Sequence, residues 1–120
     1  MTSRSLVVAL SVLVLGSVAR AENFEVHMQS DGPVMHFVPD TISITKGSKV
    51  KWINDDVKKQ FHTVTSGKVT GAAGHPDKLF ASSMIAPGKT FEHTFTEAGT
   101  FEYYCMPHVA MKMFGKVIVK

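Results

Sequence analysis

Cysteine is almost missing from this 120-residue chain, in which Cys105 stands alone. A single cysteine excludes an intramolecular disulfide and leaves three uses: a free thiol, an intermolecular bridge or a metal ligand. Long apolar runs are lacking too. The longest, residues 6–15 (LVVALSVLVL), counts ten residues, against the roughly 20 that a membrane-spanning helix needs. With Arg4 before it and Ala19-Arg20-Ala21 after it, that run has the layout of a secretory leader ending in a small-x-small cleavage pattern. We expect cleavage after Ala21 and an exported, soluble, monomeric domain over residues 22–120, periplasmic or in an equivalent compartment. No cysteine near the leader is available for lipidation.

Charge of one sign is scarce as well. The formal net charge is +3, but Arg4 and Arg20 fall in the leader, so 11 lysines face 10 acids in the rest of the chain. A balance of about +1 excludes a nucleic-acid partner, which would require a basic surface. The remaining 99 residues are enough to bury one modest core without disulfides. They contain no nucleophile–base pair and no second ligand cluster, so an enzyme is not expected.

What is present, from residue 22 onward, is alternation with a period near two. β-branched and aromatic residues alternate with polar ones over residues 24–28, 34–38, 41–45, 49–54, 61–66, 90–96, 100–105 and 114–120. Turn signals at Asp31-Gly32-Pro33, Lys46-Gly47, Pro87-Gly88 and Ala98-Gly99 separate these runs. About eight short strands predict an all-β fold, a Greek-key β-sandwich. Val50, Trp52, Phe91, Phe95, Phe101, Tyr103, Val117 and Val119 share the inward parity, with Met28, Met35 and Met84 as gap fillers. Residues 66–83 (SGKVTGAAGHPDKLFASS) show neither period and read as a long loop with a helical turn near 77–81.

Chemistry concentrates in Cys105-Met106-Pro107-His108-Val109-Ala110-Met111-Lys112-Met113. This segment offers a thiol, an imidazole and thioethers between two strands, with Pro107 stiffening the turn. By parity Cys105 follows Phe101 and Tyr103 inward, a protected position for a thiolate. A second imidazole must come from elsewhere, and His62, in the strand-like FHTVTS after the polar bend 54–60, is the best candidate. Two imidazoles, one thiolate and a weak axial thioether form the ligand set of blue-copper electron transfer. His27, His36, His75 and His93 are read as structural or solvated.

In these features the chain resembles the cupredoxin family, in particular its small plastocyanin-, pseudoazurin- and amicyanin-like type 1 copper proteins. The resemblance runs through Phe37-Val38-Pro39, Ile42-Ser43-Ile44, Val50-Lys51-Trp52-Ile53-Asn54, His62, Phe95-Thr96-Glu97-Ala98-Gly99-Thr100, Tyr104-Cys105 and Gly115-Lys116-Val117. It implies a single copper ion held by His62, Cys105 and His108, with Met113, eight residues after the cysteine, as the axial ligand. Amicyanin-like loops are shorter and would use Met111. Where many relatives carry asparagine after the first histidine this chain has Thr63, whose hydroxyl is expected to bond the opposite loop.

The function implied is one-electron transfer between redox proteins through transient docking, over an apolar patch of Pro87, Met106, Pro107, Val109 and Ala110. Lys58, Lys59 and Lys112 are candidates for steering an acidic partner. Seven methionines and six histidines motivate the alternative, a protein that stores or delivers copper.

Overall fold

Lys49–Asn54 shows how the sequence builds the fold: Val50, Trp52 and Asn54 are buried while the lysines and Ile53 between them stay partly open. That is the period-two pattern of a strand with one face on a core. A computed structural model describes residues 20–120; the expected leader lies almost wholly outside them. Among the described residues nine strands are found: β1 (Asn23–Asp31), β2 (Val34–Val38), β3 (Thr41–Ile44), β4 (Lys49–Asn54), β5 (Thr65–Thr70), β6 (Ala73–Ala81), β7 (Thr90–Thr94), β8 (Gly99–Tyr104) and β9 (Phe114–Val119). They form two sheets, in the orders β2-β1-β4-β7 and β3-β9-β8-β5-β6. The pairs β1·β4 and β3·β9 are parallel and the others antiparallel. The fold is the expected β-sandwich.

Trp52 sits at the centre, fully buried, with the rings of Tyr103, Phe91, Phe80 and Phe95 at centroid distances of 5.3, 5.7, 5.9 and 6.4 Å. Val26, Met28, Phe37, Val50, Val117 and Val119 complete the layer between the sheets. Phe91 and Phe101, expected inside, pack only at its margin.

Three local expectations are corrected. Residues 66–83 are not a loop with a helical turn but most of the β5–β6 hairpin. β6 is an edge strand whose only buried residue is Phe80, so both of its faces meet water and no periodicity marks it. Residues 61–64 lie outside β5, and His62 joins the fold through an isolated bridge to Ile85. Met84 is not a core residue but 52% exposed.

Gly115 faces Tyr103 across the β8–β9 ladder, and a Cβ there would stand 2.1 Å from Tyr103 Cζ. The absent side chain is what lets the buried tyrosine ring lie flat over the strand. Gly115→Ala is therefore expected to destabilise the protein by about 1–3 kcal/mol through overpacking. Denaturant unfolding of the metal-free protein measures this, and an unchanged midpoint would contradict it.

Candidate metal centre

Strand β8 ends at Tyr104, paired with Phe114 at the start of β9. The residues next along each strand, Cys105 and Met113, are therefore brought opposite each other, and the Cys105 amide donates to the Met113 carbonyl at 3.0 Å. Both are fully buried. Between them Met106–Met111 form a 3₁₀ turn with Pro107 in its first turn, interrupted at His108. Lys112 takes the left-handed conformation (φ 57°) that reverses the chain into Met113. This short excursion tucks His108 under the turn, where 8% of its surface stays exposed, while Met111 points outward at 44% exposure.

His62 arrives from the other side of the site. Its amide and carbonyl pair with Ile85 at 3.2 and 2.7 Å. Its Nδ1 lies 3.7 Å from Cys105 Sγ, and His108 Nδ1 lies 3.3 Å from the same sulfur. The three ligand atoms all fall within 4.8 Å of one another. Bonds of about 2.3 Å to sulfur and 2.0 Å to nitrogen, as at zinc, separate the two atoms by about 3.7 Å at a trigonal angle. The donor set thus fits one thiophilic metal ion.

The surroundings are built around this set. The Thr63 amide donates to Cys105 Sγ at 3.3 Å, and Thr63 Oγ1 accepts from the Met106 amide at 2.8 Å. Thr63 therefore ties the two ligand segments together through backbone and side chain alike. His62 Nε2 is 2.8 Å from Asp56 Oδ2, with both side chains fully buried. Asn54, buried at the end of β4, donates through Nδ2 to the carbonyls of Gln60 and Ile85 at 2.8 and 2.9 Å, bracing the bend that leads to His62.

Burial pushes the Cys105 thiol above its ordinary pKa, only partly opposed by hydrogen bonds from Thr63 and His108. Burial also holds His108 below the usual imidazole range, and the nearby His62 ring adds to this. For Asp56, burial raises the carboxyl, but the bonds from His62, the Lys58 amide and Ser30 together outweigh it and leave the group below the ordinary carboxylate range.

Of the docking residues read from the sequence, Met106, Pro107 and Ala110 are exposed and Pro87 and Val109 half-buried. Sequence reasoning passed over Phe61 and Met84, exposed apolar side chains (49% and 52%) adjoining the His62–Ile85 bridge. It also missed Asp56, which carried no signal beyond being an acid in a polar bend. His27, His36, His75 and His93 stand outside the cluster; His27 bonds Asp55 at 2.6 Å and His75 bonds Thr70 at 2.6 Å. No helix among the described residues is long and apolar enough to cross a membrane.

Residues 24–120 match the family model described as copper binding proteins, plastocyanin/azurin family. The chain is 37% identical to a plastocyanin of Synechococcus sp. (strain JA-2-3B'a(2-13)), covering 96% of this chain and 87% of that protein. It is 27% identical to the amicyanin of Paracoccus versutus over 99% and 96% of the two chains. Among solved structures, a purple cupredoxin from Nitrosopumilus maritimus superposes with a TM-score of 0.66 at 28% identity, covering 80% of this chain and 98% of that one.

With Cys105 raised and His108 lowered, the metal-free site at neutral pH carries a protonated thiol and a neutral His108. Titration with zinc ion in weakly buffered solution at pH 7 is thus expected to release about one proton more per ion bound from the unaltered protein than from Cys105→Ser. Equal release from the two would contradict the assignment.

Proposed function

The chain belongs to the plastocyanin/azurin family of copper-binding proteins, and from that premise we propose that it is an electron carrier whose copper is held by His62, Cys105, His108 and, more weakly, Met113. Copper in such a site supplies a one-electron couple between its cupric and cuprous states. The observation that carries this reading is the convergence of one sulfur and two imidazole nitrogens that are almost wholly buried. Ligands so enclosed leave no place for a substrate at the ion, so what can pass is an electron.

The chain's own residues hold the donors still while the charge at their centre changes. His62 is fastened by Ile85, Cys105 by the Thr63 amide and the ladder to Met113, and the two segments by Thr63 Oγ1. Donors that do not move keep the reorganisation accompanying electron exchange small. The full burial of Met113, against an exposed Met111, supports Met113 as the axial thioether. Storage or delivery of copper requires ligands that open and exchange, which this bracing disfavours.

Partners on this reading are redox proteins that dock transiently at the end of the sandwich where His108 reaches the surface. Exposed Met106, whose amide bonds Thr63, and exposed Phe61 and Met84, next in sequence to the bridged His62 and Ile85, would extend the apolar rim proposed around Pro87, Pro107, Val109 and Ala110. Lys58, Lys59 and Lys112 stand in the two loops that lead to the ligands and would steer an acidic partner. The carrier itself is residues 22–120, exported as a monomer once the leader is removed.

One equivalent of cupric ion is expected to produce an intense visible band that ascorbate bleaches and reoxidation restores. A weak or missing band would sink the proposal. Met113→Ala should retain copper while changing its potential and spectrum; if Met111→Ala does so instead, the axial ligand is Met111. The rate of electron transfer to an acidic partner should fall as salt rises, and a flat response removes the lysines from the encounter.

A further inference from the structure

A carboxylate stands directly behind one of the ligands. Asp56 Oδ2 accepts from Ser30 Oγ at 2.8 Å as well as facing His62 Nε2 at 2.8 Å, and Oδ1 accepts from the Lys58 amide at 2.9 Å. The Asp56 amide in turn donates to Asn54 Oδ1 at 3.2 Å. An ionised group is tolerated in such a place only when its hydrogen-bonding capacity is met. Here it is met by an imidazole, a hydroxyl and an amide, none of them a fixed cation. The Lys58 ammonium, the nearest in sequence, bonds the Gly32 carbonyl instead.

We propose that Asp56 is a positioning residue for the copper centre: it locks His62 as the Nε2–H tautomer, and its charge behind the ring biases the bound ion toward the cupric state. A neutral imidazole has one donor and one acceptor nitrogen, and a carboxylate can only accept. Nε2 must therefore carry the proton, which leaves the Nδ1 lone pair facing Cys105 Sγ. The charge-assisted bond also makes Nδ1 a more basic ligand. A cupric ion carries one more positive charge than a cuprous ion, so a nearby fixed anion stabilises it more.

The inference rests on His62 being a copper ligand, and the tests separate the two ideas. Long-range ¹⁵N–¹H correlation of the metal-free protein reads the tautomer without any metal. At a pH where the ring is neutral, His62 is expected as the Nε2–H tautomer, and Asp56→Ala should admit the Nδ1–H form and lower cupric affinity about 10- to 100-fold. Asp56→Asn keeps the shape and removes the charge; the cupric-to-cuprous affinity ratio should fall about tenfold, which raises the potential by about 59 mV for one electron.

Ser30→Ala removes a donor from the same oxygen but keeps the charge, so the potential should fall slightly. It decides by sign if neither Asp56 variant folds. A His62 found as Nδ1–H in the metal-free protein, an unmoved potential in Asp56→Asn, or a rise in Ser30→Ala would each overturn the proposal. Failure of the unaltered protein to bind copper would overturn the ligand assignment instead.

Discussion

Burying a thiol and two imidazoles at the end of an apolar sandwich is the constraint to which the rest of this structure answers. Each brings polar atoms that water would otherwise satisfy, and a protein interior charges several kcal/mol for leaving such atoms unpaired. The solution is a division of labour among atoms. The inward-facing donors Cys105 Sγ and the two Nδ1 atoms meet one another. The outward needs go to Thr63 and Asp56, while His108 keeps a narrow opening to solvent. Loop lengths, the 3₁₀ turn and the bend before His62 are the backbone geometry that permits this sharing.

The two sheets contribute in different ways. β8 and β9 bring Cys105 and Met113 together by register alone, since a ladder that pairs Tyr104 with Phe114 leaves the next residues no choice. His62 has no such ladder. It depends on Asn54, the inward residue at the end of β4, whose amide reaches both Gln60 and Ile85 and so ties the opposite sheet to the ligand segment. The metal centre is thereby a seam between sheets, assembled only when both have formed.

This division explains what could be read from the sequence. Strands with one face on Trp52 announced themselves by alternation, and Cys105 and His108 by ligand types packed into a few residues. His62 required the family resemblance, because nothing local distinguishes it from a strand histidine. Asp56 and Asn54 were invisible for a different reason: their importance lies in contacts with Ser30, His62 and Ile85, up to 31 residues away. Met84 was misplaced because hydrophobicity alone does not tell a core methionine from one at a rim. The β5–β6 hairpin escaped detection because β6, wet on both sides, has no inward set to repeat.

That same wet strand bears on how the protein lives at high concentration. β6 forms one border of its sheet, and an unpaired border is a template on which another chain can add a strand. Here the template is spoiled. Pro76 removes a donor from the row, and Lys78 turns into the left-handed region at φ 66°. The register also slips between Thr65 and Gly67. The irregularity that hid the hairpin from periodicity is a guard against edge-to-edge aggregation along this border of the sheet.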